Sequence, residues 1–142
     1  MGQALLSGDR YILVQALFDA APTVACASLG LVEVMATLAR KHKAEEIDSV
    51  TFEQKAQELE EDWESFVQIR FATELVHRAK EVAKQQALRG ADAIHLASAL
   101  LLESRFVETD DRLIFVASDH ELKKAALSSG LEVIDPEEQG EV

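Results

Sequence analysis

Leu113-Ile114-Phe115-Val116-Ala117-Ser118-Asp119 is a five-residue apolar run closed by a serine and an acid. Its length suits a buried strand, and the polar pair that ends it suits the start of a helix. Ser118-Asp119-His120-Glu121 fits a capping box, with Ser118 at the cap and Glu121 at the third helical position. The helix runs from Asp119 to about Ser128, Gly130 caps its end, and a second apolar run, Leu131 to Ile134, stops at Pro136. Strand, helix and strand in such short succession form a βαβ unit. The expected fold class is therefore α/β, with a parallel sheet flanked by helices.

Upstream lies Gly90-Ala91-Asp92-Ala93-Ile94-His95-Leu96-Ala97-Ser98-Ala99-Leu100. It opens an otherwise almost fully apolar helix, Asp92 to about Glu103, with a carboxylate in the first turn. Asp92 stacks over Leu96 and near Ala99, on a helix that reads as buried. A carboxylate there costs free energy unless it is capped, hydrated or bound to a cation. The helix dipole accounts for Asp92, and equally for Asp119. Two acids placed where strands meet helices also suit a metal site in an α/β domain. Both readings stay open on these residues alone.

Further upstream the elements are less sharp. Met1 to Arg10 is polar or small, and Tyr11 to Phe18 reads as a helix ending near Asp19, before Ala20-Ala21-Pro22. Thr23 to Ala27 is a short buried strand. Ser28 is the N-cap of a helix from Leu29 to about Lys41, with Leu31, Val32, Met35, Leu38 and Ala39 on one face. Glu33 lies off that face and, taken alone, reads as a solvated helix glutamate. Thr51-Phe52-Glu53-Gln54 resembles a capping box for a helix to about Phe66, with Phe52, Ala56, Leu59, Trp63 and Phe66 on one stripe. Phe66 to Phe71 alternates as an extended segment, and a helix from Thr73 to about Leu88 turns Leu75, Val76, Ala79, Val82 and Ala83 inward, with Gly90 as its closing cap.

The chain has 142 residues, 48% of them hydrophobic, which is enough for one domain spanning 1–142. Its formal net charge is −12. That balance argues against a nucleic-acid binder working through a broad basic face. It is compatible with a nuclease that grips phosphates through a divalent metal, and it invites a basic protein partner. A single cysteine, Cys26, precludes a disulfide within the chain and reads as a small buried hydrophobe. Without an apolar stretch of the ~20 residues that span a bilayer, the expected location is the cytoplasm. A hard cation prefers oxygen ligands, so His95 and His120 read as structural. Glu108, Asp110 and Asp111 form a solvated turn, and the tail from Glu137 to Val142 is expected to fray. Arg40-Lys41-His42-Lys43 completes a helix C-terminus, where positive charge is favoured.

Three segments together, Ser28-Leu29-Gly30-Leu31-Val32-Glu33-Val34, Gly90 to Ala97, and Phe115 to Asp119 with Leu122, Ala125-Ala126, Gly130-Leu131 and Asp135-Pro136 after it, resemble the PIN domain. The resemblance is closest to VapC-type toxins of toxin–antitoxin pairs and covers roughly Ala20 to Pro136. It implies a parallel sheet flanked by helices and an acidic pocket holding Mg²⁺ or Mn²⁺. By that resemblance Glu33, Asp92 and Asp119 are the catalytic, metal-binding acids. Ser118 helps position one of them, and Arg89 touches phosphate. The implied activity is endoribonucleolytic cleavage of single-stranded RNA, in a homodimer restrained by a VapB-like antitoxin.

One departure stands out. The family begins with an apolar strand bearing its first acid, and no such run precedes Glu33 here. Ser7 to Pro22 resembles the family's second helix, so the usual first strand is expected to be absent, through a late start, a shortened chain or real loss. A rival alignment lays Tyr11 to Gln15 on that strand, with Gln15 in place of the aspartate. Loss of that acid sets a second reading beside the enzyme: a PIN-like binding module without catalysis, associating with a basic antitoxin-like protein.

Overall fold

The computed structural model describes residues 2–5, 23–105 and 112–139. Five strands form one sheet: β1 (Gly2–Leu5), β2 (Thr23–Ala27), β3 (Val67–Ile69), β4 (Arg112–Val116) and β5 (Glu132–Ile134). Their spatial order is β3-β2-β1-β4-β5, and every neighbouring pair is parallel. The helices among the described residues are α1 (Leu29–Lys43), α2 (Ser49–Ser65), α3 (Thr73–Gln86), α4 (Gly90–Ser104), α5 (His120–Ser128) and α6 (Pro136–Gln139).

The α/β class and the parallel sheet agree with the sequence reading; the centre of the sheet does not. The first strand was expected to be missing, and Gly2–Leu5 holds that place, with Leu5 in register with both Ala25 and Phe115. Its residues, Gly-Gln-Ala-Leu, include no β-branched side chain and no alternation of apolar with polar. Partners on both sides, rather than intrinsic propensity, specify so short a strand. These four residues include no acid. The helix read at Tyr11 to Phe18, the rival strand through Gln15 and the turn at Glu108 to Asp111 lie outside the described residues.

Successive side chains of a strand point to opposite faces, and two cores result. Val24, Cys26 and Val116 pack against Val34 and Leu38 of α1 and Leu59 and Trp63 of α2. Ala25, Leu113 and Phe115 pack on the other side against α3, α4 and α5. Strands covered on both faces read as continuous apolar runs, which is how β2 and β4 look. Helix α4 is buried on most of its circumference, from Ala93 through Leu102. Its alanines at 93, 97 and 99 admit close neighbours, and the fully enclosed Leu96 contributes ~1.5–3 kcal/mol of burial.

Several helix ends differ from expectation because more than one nearby residue can cap. Asp48, three residues before Thr51, starts α2: its Oδ1 accepts from Thr51 N at 2.7 Å. Ser28 precedes α1 but makes no side-chain cap; its Oγ donates to Ile69 O at 3.2 Å and ties the β2–α1 turn to β3. Ala87, left-handed at φ 55°, ends α3, and Gly90 instead begins α4. Gly130, at φ 91°, ends α5 as expected.

Pro136 does not simply stop the chain: it opens the short helix α6. An ion pair braces this region. Lys123 Nζ of α5 lies 2.7 Å from Asp135 Oδ2, and Glu137 N donates to Asp135 Oδ1 at 2.9 Å. Burial pushes the Asp135 carboxyl up, but the bonds from Lys123 and Glu137 outweigh it and hold the group below the usual carboxylate range. A depressed folded-state pKa gives stability that is present above the unfolded value, about 3.9, and lost as pH falls through the folded one. Melting temperature is therefore expected to drop below about pH 4, and Asp135→Asn to flatten part of that drop. Identical acid profiles for the two proteins would contradict this role for the pair.

Candidate active site

The chain winds outward from β1 to β2 and β3, then returns to the far side of β1 for β4 and β5. Ligands of open α/β sheets bind at the carboxyl ends of the strands where the winding reverses. Glu33 lies in the helix that follows β2, and Asp119 follows β4. These two strands flank β1, so both acids enter at the carboxyl edge on either side of the central strand.

Each acid also has a local role. Asp119 is the N-cap of α5, with Oδ2 accepting from Leu122 N at 3.0 Å; it takes the position assigned to Ser118 from the sequence. The side chain of Ser118 is half-buried beside it. Asp92 is half-buried in the first turn of α4 and favoured by the helix dipole. Arg89 is exposed at the N-cap position of the same helix.

Glu33 is not a freely solvated glutamate. Its side chain is half-buried, and Oε1 accepts from Nε2 of His95, a residue 2% exposed. The two are 62 positions apart in sequence, on helices that cover opposite faces of the sheet. His95 follows Asp92 by three residues, so Glu33 is tied directly to the helix that carries Asp92. The signal available in the sequence was a polar side chain inside a run of alanine and leucine; its partner was not readable.

Gly30 is a second residue whose importance the structure reveals. A Cβ there would stand 2.4 Å from Cys26 Sγ, 3.5 Å from Trp63 Cη2 and 3.8 Å from His95 Cε1. Helix α1 thus rests directly on β2, and this close seating sets the height of Glu33, one turn later.

Oxygen donors such as Glu33, Asp92 and Asp119 suit a hard cation, Mg²⁺ or Mn²⁺, and on donor chemistry the residues fit one. Among the described residues, however, no three side chains of His, Cys, Asp or Glu are grouped closely enough to hold an ion. Hydrogen bonds to the protein engage one oxygen of Glu33 and one of Asp119.

The PIN-domain family model matches residues 3–126, from within β1 to α5. The chain belongs to the PIN-domain family. Ribonuclease VapC45 of Mycobacterium tuberculosis is 32% identical to this PIN domain over 125 residues, 85% of this chain and 80% of that protein. Among solved structures, PAE2754 from Pyrobaculum aerophilum superposes with a TM-score of 0.68 at 18% identity, covering 98% of this chain and 92% of that one. A toxin–antitoxin complex from Klebsiella pneumoniae gives a TM-score of 0.63 at 18% identity, over 94% of this chain and 97% of that one. The structural likenesses establish the shared PIN fold, and the sequence relationship makes the chain a homologue of VapC ribonucleases. No helix among the described residues is long and apolar enough to cross a membrane.

Proposed function

We propose that this PIN domain is a metal-dependent endoribonuclease of the VapC type that cleaves single-stranded RNA. The observation that carries the reading is the placement of Glu33 and Asp119 at the carboxyl edge beside β1, with Asp92 on the helix tied to Glu33 by His95, in a homologue of VapC45. Glu33, Asp92 and Asp119 would hold the cation, Mg²⁺ or Mn²⁺. When bound, it supplies positive charge for the scissile phosphate and a more acidic water. The residues around it have separate tasks. The exposed guanidinium of Arg89 is available to a phosphate through charge-assisted hydrogen bonds. Ser118, half-buried next to Asp119 in the chain, is the residue proposed to help position it. A net charge of −12 repels RNA at long range, so activity depends on the local cation rather than on a basic face.

The same reading supplies partners. A chain this acidic suits a basic, VapB-like antitoxin segment, in keeping with its structural neighbour from a toxin–antitoxin complex, and a homodimer is the proposed assembly. A second reading, a PIN domain that binds such a partner without cleaving RNA, is favoured by two observations. The strand β1 contains no acid, and the described residues hold no group of three metal-binding side chains.

Incubation of the full chain with single-stranded RNA separates the two. Cleavage is expected with Mn²⁺ or Mg²⁺ and is expected to stop when EDTA is added. Cleavage that persists in EDTA contradicts the metal-dependent reading, and partner binding without any turnover supports the second one.

A further inference from the structure

We propose that His95 is a positioning residue: its Nε2–H holds the Glu33 carboxylate in the orientation it needs to meet a divalent cation. This inference rests on the metal-dependent reading above.

Three observations carry it. First, His95 is 2% exposed, on the stretch of α4 whose other buried residues include Ala93, Leu96, Ala97 and Ala99. Second, the ring uses only one of its nitrogens. Nε2 donates to Glu33 Oε1, while His95 Nδ1 is buried without a hydrogen-bond partner. An apolar side chain of similar size would fill this space without leaving an unpartnered ring nitrogen. What the imidazole adds is the Nε2–H. Third, the bond joins two parts of the site. Glu33 sits on α1 and Asp92 on α4, and His95, three residues from Asp92, makes the link between these helices.

The consequence follows from the freedom of glutamate. Its carboxylate swings on several torsions, and at 30% side-chain exposure much of that freedom survives packing. Pinning Oε1 to a buried ring fixes the plane of the carboxylate and so the direction of Oε2. Partners of this kind, which orient a metal-binding side chain, typically change metal affinity by ~10–100-fold when removed.

Calorimetric titration of the full chain with Mn²⁺, with thermal melting as the check on folding, tests this. His95→Leu is expected to weaken Mn²⁺ binding about 10-fold or more. His95→Gln, whose amide can present a donor at the place of Nε2, is expected to recover most of that loss. An independent reading comes from the ring nitrogens of the metal-free protein by ¹⁵N NMR. The Nε2–H tautomer is expected, with a change in the Nε2 signal in Glu33→Gln. If the wild type binds no Mn²⁺, the metal-dependent reading falls and takes this inference with it. If the wild type binds and His95→Leu binds as tightly, the positioning role alone is overturned. A proton on Nδ1 instead of Nε2 overturns it with or without metal, and that spectrum decides should His95→Leu fail to fold.

Discussion

Asp119→Asn is expected to lower RNA cleavage by about 100-fold or more while leaving the melting temperature within a few degrees of wild type. The two effects separate because Asp119 has two tasks that ask for different chemistry. As the N-cap of α5 it needs only an oxygen that accepts from Leu122 N, now at 3.0 Å. Asparagine is as good a cap as aspartate, and the charge lost from the helix terminus is worth ~0.3–1 kcal/mol at most in such an exposed position. As a metal-holding group Asp119 needs a full negative charge, and a neutral amide is a far poorer partner for a hard cation. Asp119→Ala removes both tasks and is expected to lose about 1 kcal/mol of stability in addition. Full cleavage by a folded Asp119→Asn protein would assign Asp119 to the helix cap alone.

The second large effect is expected at Gly30. Gly30→Ala places a methyl group 2.4 Å from Cys26 Sγ, far inside contact distance. Cys26 is wholly buried on β2, so the sulfur has little room to withdraw. Overpacking of this kind costs ~1–3 kcal/mol, whereas alanine for glycine inside a helix returns ~0.5–1 kcal/mol. The clash outweighs the gain, and a net loss of ~1–2 kcal/mol is expected, seen as a fall of several degrees in melting temperature. In a Cys26→Ala background the sulfur is gone, and the next contact, Trp63 Cη2 at 3.5 Å, is ordinary packing. There the same substitution is expected to be neutral or stabilising, so the double-mutant cycle should show a coupling of at least ~1 kcal/mol. Additive losses would mean that the close approach of α1 to β2 is not what Gly30 permits. Because Glu33 lies one turn beyond Gly30, Gly30→Ala is also expected to weaken the bond between Glu33 and His95.

The elements most legible in the sequence are those with strong local signals. The β4–α5–β5 unit could be read because an apolar run, a cap and a glycine follow one another at short range, and all three appear in the structure. The strand at Gly2–Leu5 could not. Its four residues have no pattern of their own, and its place is dictated by Ala25 and Phe115 on either side. Cap assignments slipped for a simpler reason. Ser118 and Asp119 are both competent caps, as are Asp48 and Thr51, and only the path of the backbone chooses between them. Ala87 shows the converse, since it takes the left-handed position three residues before the glycine that seemed made for it.

The candidate acids could be named from sequence because the segments around them resemble the PIN domain. Taken singly, Glu33 reads as a solvated helix residue, and Asp92 opens a helix that follows another helix rather than a strand. Their surroundings could not. The bond from His95 to Glu33 links residues from different helices and both faces of the sheet, and no helical periodicity encodes it. The seat of Gly30 on Cys26 was equally silent, although both residues were visible in the strand and helix concerned.

Isothermal titration of Mn²⁺ into the wild type and Asp92→Asn asks most directly whether these far-separated acids share a cation. Micromolar binding by the wild type, weakened at least ~10-fold in Asp92→Asn with the melting temperature preserved, is the expected outcome. Equal affinity in the two proteins, or no binding in either, would contradict a metal centre built from Glu33, Asp92 and Asp119.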